Sequence, residues 1–227
     1  MARLIVGCGA SLIPAMTDAI IYAMRQEGIR VDVQDNSRIN ESARARHLTM
    51  AELTAGLAEI AASPRDGGVL KLIVQRPAVN ERESVTQGRL DVEQGLVGDT
   101  WLSRGNHRSP GDPPRPETQI TIMNARAAAL VARNPDRWQL AGDQLVIDLD
   151  LSGENLPAGT RLAIGTAVIE ITAEAHTGCH KFAGRFGRDA LKFVNMPAGR
   201  RWNLRGIYAR VVQSGDIRVG DTVRKLH

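Results

Sequence analysis

A mainly β (α+β) chain is predicted: an antiparallel β-barrel with a few short helices, preceded by an N-terminal strand-helix-strand and helix extension. Three observations predict it. Apolar residues recur with a period of two in many short runs after Val69, Gly, Pro and Asp turns separate the runs, and only two helical patterns interrupt them. The 227 residues suffice for one sizeable domain with an extension, and for a core that needs no metal or disulfide to fold.

The first segment opens with an apolar run from Leu4 to Val6, then a helical pattern from Pro14 to Glu27, a stop at Gly28 and a second apolar stretch through Val33. Gly7, Gly9 and Asp35 imitate the start of a dinucleotide-binding unit. Leu12, however, stands where that loop has its third glycine, and the further parallel strands are missing. From His47 to Ser63 a helix is marked by a capping box of Thr49 with Glu52, staple positions at Leu48 and Leu53, and a face of Leu53, Leu57 and Ile60. Pro64, Asp66, Gly67 and Gly68 end it, so residues 1–68 read as an α/β extension of unknown role and residues 69–227 as the barrel domain.

Within the barrel, Leu70, Leu72 and Val74 alternate with their neighbours, as do Ile120 and Ile122, Leu145 to Leu151, Ile169 and Ile171, and Ile207 to Val211. Ser214, Gly215 and Asp216 predict a hairpin turn before Ile217 to Val223. The helical patterns cover Asn124 to Arg133 and Arg188 to Asn195. Asn106 to Glu117, with four prolines, reads as a stiff exposed loop of the kind that borders a site.

Charge concentrates late in the chain. Between His176 and Arg210 stand Lys181, Arg185, Arg188, Lys192, Arg200, Arg201, Arg205 and Arg210 against Asp189, more than the whole chain's net +4. Such a field attracts an anion, and arginine's planar fork suits phosphate or carboxylate. A solvated basic face would show the same count. Aromatic content of 4% argues against stacking platforms for nucleic acid, which is not an expected partner. Two cysteines without framework spacing point to a reducing compartment. The apolar stretch before Cys8 is too short for a signal peptide, and no run reaches the length of a transmembrane helix. A cytoplasmic protein without a membrane partner is expected.

Cys179 sits inside this basic segment, followed by His180 and Lys181. Cations favour the thiolate, the form that attacks or ligates. Zinc would need a fourth ligand, which is missing, and Cys179 and His180 in a strand would point to opposite faces. A cysteine nucleophile with His176 or His180 as base, or a sulfur carrier, needs only a reactive thiolate and access. A redox metal whose cofactor brings the other sulfur ligands needs one protein thiolate, and its anionic tail would use the arginines.

The motifs GDTWLSRG (98–105), AGDQLVIDLDLSGENLPAG (141–159), HTGCHKF (176–182) with RFGRDALKFVN, RGIYARVV (205–212) and the closing VGD (219–221) occur in this order. On these the chain from Val69 to Leu226 resembles the MOSC domain, named for the C-terminal domain of molybdenum cofactor sulfurase. The resemblance implies a β-barrel in which Cys179 ligates molybdenum or carries sulfur, with His176 beside it as the second catalytic candidate. It further implies molybdenum cofactor (molybdopterin), a reductive step on an N-hydroxylated small molecule, and an external electron-transfer or sulfur-donor protein. Cofactor contacts are expected from Arg104, Asn155, Thr177, Gly178, Lys181, Arg185, Arg188 and Arg205. Pyridoxal phosphate, associated with the family through fused sulfurases, is not expected on this chain because no lysine motif for it is evident. The alternatives are a metal-free carrier of a Cys179 persulfide and a non-catalytic basic binding module.

Overall fold

A computed structural model describes residues 46–105 and 111–226. The chain divides into two compact units, residues 1–46 and 47–227, and the barrel belongs to the second. The strand-helix-strand expected before His47 lies outside the described residues, as does the first part of the proline-rich loop.

Seven strands close into a barrel. In chain order the strands are β1 (Gly68–Gln75), β2 (Glu83–Val85), β3 (Gln87–Asp91), β4 (Gly95–Leu96), β5 (Ile120–Asn124), β6 (Leu145–Asp148), β7 (Arg161–Ile164), β8 (Ala167–Ile171), β9 (Ile207–Gln213), β10 (Gly215–Arg218) and β11 (Thr222–Leu226). The ring runs β11-β7-β8-β9-β5-β6-β1 and is sealed by β1 against β11, Gly68 facing Val223. Strand β2 hangs on β1, and β10, β3 and β4 form a separate small sheet. Closure leaves the seven ring strands without an open edge.

The barrel follows the expected pattern with three departures. First, β5 and β6 pair in parallel, which requires a crossover, and the helix Ala125–Ala132 supplies it. Second, Leu70 and Leu72 do not share a face. The register against β6 shifts between them, a β-bulge, so Leu70 and Ile73 face the barrel core while Leu72 packs outside. Third, Ser214 to Asp216 make no hairpin. β10 pairs with β3, while β9 pairs with β5 and β8, and Gly215 lies so close to the backbone of Thr166 and Ala167 that a side chain would collide with it.

Elsewhere the period of two operates cleanly: Leu145, Ile147 and Ile122 enter the barrel core, while Val146 and Met123 between them face a second apolar layer outside. Helices supply most of that layer. The described α-helices are α1 (Met50–Ala55), α2 (Leu57–Ala61), α3 (Trp101–Arg104), α4 (Ala125–Ala132), α5 (His180–Phe186), α6 (Arg188–Asn195) and α7 (Pro197–Arg201), of which α1, α2, α4, α5 and α6 place buried residues in it. The outer layer gathers Leu53, Ile60, Met123, Phe182, Phe186 and Phe193. The Thr49–Glu52 capping box starts α1 as the sequence predicts, and the Met50 amide also donates to Asp189 on α6.

The segment before Val69 therefore includes part of the barrel's own packing. Leu53 is fully buried, Ser63 Oγ accepts from Asn124 Nδ2 at 2.9 Å, and the Pro64 carbonyl accepts from the Asp150 amide. Truncating Leu53 to Ala should destabilise the fold by about 2–5 kcal/mol, because the site is walled by elements that cannot collapse into the void. Urea unfolding of L53A measures this, and a loss below about 0.5 kcal/mol would show that α1 is an appendage.

Candidate functional site

One cavity of about 450 Å³ gathers most of the chemistry-bearing residues. Its wall is built from the loop after β1, helix α3, the turn before β6, the chain from Glu174 into α5, and the start of β9.

Its deepest element is an ion pair. Arg205, in the turn between α7 and β9, donates from Nη1 to Asp143 Oδ2 at 2.6 Å and from Nη2 to the Ala141 carbonyl at 3.0 Å, while its guanidinium lies 5.2 Å from the Phe182 ring centre. Asp143 has no exposed side-chain surface; burial pushes its carboxyl up, against the pull of Arg205. Beside the pair, His176 packs its ring on Tyr208 at 4.5 Å, with Nδ1 3.6 Å from Asp143 Oδ1. Burial first, then the charges of Arg205 and Arg76, hold this imidazole well below its ordinary range and so neutral. Gly206, at φ +110°, makes the approach possible, since a Cβ there would press on the Ile122 carbonyl and lie 3.2 Å from His176 Nδ1.

Further guanidiniums line the cavity above. Arg76, just past β1, is clamped by Asp99 through Nε at 2.7 Å and Nη2 at 2.8 Å. Arg82 comes from the loop before β2, and its pKa falls to about 10, through burial and then the neighbouring Arg185 and Arg76. Arg185 donates to the Leu140 carbonyl at 2.7 Å; burial lowers it, with Arg205 adding and Cys179 opposing. Arg104 is lowered by burial and then by Arg76. Gly142, at φ +87°, takes the left-handed turn that leads into β6, and Arg82 and Arg185 lie beside it at ordinary contact distances of 3.5 Å and 3.8 Å from where a Cβ would stand. Positive charges this close and partly dry repel one another, and an anion between them removes that cost.

Cys179 is free, exposed and part of the lining. Contrary to the expectation from sequence, it is not in a strand. It is the N-cap of α5: its carbonyl accepts from the amides of Phe182 and Ala183, and its side chain makes no capping bond, which leaves the thiol to the cavity. The loop before it is fixed by Asn195, whose amide side chain accepts from the Gly178 N–H at 3.0 Å and donates to the Gly178 carbonyl at 3.2 Å.

Of the residues expected at the site, the cavity brings together Cys179, His176, Arg104, Lys181, Arg185 and Arg205. Four others lie outside its wall. Thr177 is exposed, and Arg188 begins α6 facing solvent. Gly178 packs against Leu191 and Val194, where a Cβ would come within 2.7 Å and 3.0 Å. Asn155 serves structure: Nδ2 donates to the carbonyls of Arg65 and Asp150, and Oδ1 accepts from Lys225. Sequence reasoning does not find Arg76, Arg82, Arg115 and Tyr208 as lining residues, nor Asp143 as the partner of Arg205. Tyr208 and Asp143 lie within the motifs named above, whereas Arg76 and Arg82 lie outside every one of them.

Among the described residues no three His, Cys, Asp or Glu side chains are grouped to hold a metal ion, and no helix is long and apolar enough to cross a membrane. The family model of the MOSC domain matches residues 114–224. No curated protein matches the chain. Among solved structures, the YUAD protein of Bacillus subtilis superposes with a TM-score of 0.52 at 16% identity, over 70% of this chain and 94% of its own. YiiM of Escherichia coli gives 0.46 at 18% identity over 70% of each chain. YiiM of Geobacillus stearothermophilus gives 0.44 at 15%, over 73% of this chain and 75% of its own. The first of these likenesses shows a shared fold.

Two outcomes are expected from this geometry. Because the fold opposes protonation of His176, the unfolded chain takes up that proton first as pH falls through about 6.5. The stability is fully present above that pH and declines below it, by up to about 1.4 kcal/mol per pH unit. Urea unfolding between about pH 8 and pH 5 should show this slope in the wild type and its reduction in H176F. Replacing Asn155 by Ala should cost about 1–3 kcal/mol by the same assay, because the buried Asp150 carbonyl and the part-buried Arg65 carbonyl lose their donor. The ligand content of the cavity should be unchanged in N155A.

Proposed function

We propose, from the premise that this chain carries a MOSC domain across residues 114–224, that its cavity binds molybdenum cofactor and serves a reductive step on an N-hydroxylated small molecule. The observation that carries the reading is an exposed, uncapped thiol, Cys179, on a cavity walled by guanidinium groups.

The residues fit such a group on two counts. One soft thiolate suits a metal whose other sulfur ligands come with the cofactor. The Nε atoms of Arg82 and Arg205 are buried without a hydrogen-bond partner among the described residues, and Arg82, Arg104 and Arg185 are disfavoured by burial and by like charge, as befits a place built for an anion. Cys179 would supply the protein's sulfur ligand, and Arg82, Arg104, Lys181 and Arg185 would hold the anionic tail. When bound, the cofactor supplies a centre able to exchange an oxygen atom together with two electrons. The chain's own part is to orient and to desolvate. Arg205 and Asp143 fix the floor, and Asn195 holds the loop that aims Cys179. The electrons would come from a separate protein.

The exposure of Cys179 favours a second reading, a sulfur carrier whose thiol accepts persulfide sulfur from a donor protein. Expression in a host that makes the cofactor, followed by molybdenum and pterin analysis, separates the two. Near-stoichiometric molybdenum and pterin are expected in the wild type, with both lost in C179S and both reduced in R82A/R185A. Wild type without either, but with a cyanide-labile persulfide on Cys179 after incubation with a cysteine desulfurase, would establish the carrier instead. A C179S protein that keeps molybdenum and turnover defeats the proposed ligation.

A further inference from the structure

Beneath the cavity floor, a carboxylate and an imidazole each keep one hydrogen-bonding atom unspent. Asp143 uses Oδ2 on Arg205, and its Oδ1 is buried without a partner among the described residues. His176, its side chain 8% exposed, holds Nδ1 likewise buried and unpartnered, 3.6 Å from that Oδ1. The separation exceeds hydrogen-bond length but lies within the slack of a site that tightens on its ligand. Direction is decided by chemistry: a carboxylate only accepts, so the single proton of a neutral imidazole belongs on Nδ1. No other charge reverses this. Arg205 and Arg76 both disfavour a second proton on the ring, and the Tyr208 ring lies against it, tilted by 41°.

With Nδ1 sealed, the hydrogen-bonding atom that His176 brings to the cavity is Nε2, carrying a lone pair. The charges that act on the ring are opposite in kind. The guanidiniums of Arg76 and Arg205 only donate, while the one carboxylate near them in the lining, Glu174, is held by Arg115 at 2.9 Å and the Tyr208 hydroxyl can serve either way. An anion without a proton suits those donors but sets its own lone pair against that of Nε2. An anion bearing an O–H or N–H satisfies both.

We propose that the cavity selects anions that carry a hydrogen-bond donor, with His176 Nε2 as the acceptor and Asp143 as the positioning residue that fixes the ring's tautomer. The proposal deepens the anion-site reading of the proposed function and rests on it. It needs no metal.

Calorimetric titration of the full chain with inorganic phosphate and with sulfate at neutral pH tests it, since the two are alike in shape but phosphate there retains an O–H. Phosphate should bind tighter by about tenfold or more, as a site with a buried acceptor rejects the analogue lacking the donor. In H176F the preference should fall to about twofold or less, with sulfate affinity retained. Equal affinities in the wild type, or no binding of either anion, would overturn the proposal. A preference that survives in H176F would overturn it too. Should H176F fail to fold, the ¹⁵N imidazole shifts of the wild type decide: a neutral ring protonated on Nδ1 is expected, and a proton on Nε2 or a charged ring sinks the idea. Phosphate selectivity in a chain that takes up neither molybdenum nor persulfide sulfur would end the functional reading and leave this one standing; the reverse pattern would do the opposite.

Discussion

The buried Arg205–Asp143 pair is the constraint on which the site depends. It ties the start of β9 to the turn ahead of β6, two segments 62 residues apart, through a 2.6 Å charge-assisted bond. Burying either charge alone would be costly, so each side chain holds the other in place, and the carbonyl of Ala141 and the ring of Phe182 complete the seat of the guanidinium. His176 leans on Asp143, Tyr208 leans on His176, and the cavity floor is the surface these groups present. A pair of this kind adds little net stability compared with apolar packing, but it fixes geometry.

The two apolar layers explain how a barrel can carry such a floor. The inner layer fills the ring with branched aliphatic side chains. The outer layer, where the three phenylalanines of α5 and α6 meet Leu53 and Met123, pins the helix that begins at Cys179. The backbone that carries the thiol is thus held by aromatic burial on one side and the Asn195 clamp on the other. Precision in the site is inherited from packing.

Much of the fold was legible because its signals are local. Alternation in β5, β6, β8 and β9, the capping box of α1 and the helical pattern at Ala125–Ala132 are all properties of a few adjacent residues. The bulge in β1 was not legible, since one inserted residue changes which side chains face inward without altering the run of apolar letters. Nor was the parallel β5–β6 pair, a matter of partner choice across the chain. Helix α5 hid because glycine and charged residues dilute its pattern, although Phe182 and Phe186 stand four apart. For the site, a run of basic letters pointed to Arg185 and Arg205, whereas Arg76 and Arg82 arrive from the other end of the sequence and only the folded ring brings them in. Asn155 misled for a related reason: a polar residue in a glycine-bearing loop looks the same whether it greets a ligand or its own backbone.

Sealing the ring with its first and last strands has a consequence for how the protein comes into being. Gly68 must wait for Val223, so during synthesis β1 remains one partner short until β11 has been made, and β7 waits with it. Contacts this distant in sequence form slowly and leave apolar strand edges exposed in the interval. Until β11 pairs, the ring is an open sheet whose two edges are β1 and β7, and only that last pairing turns it into a barrel.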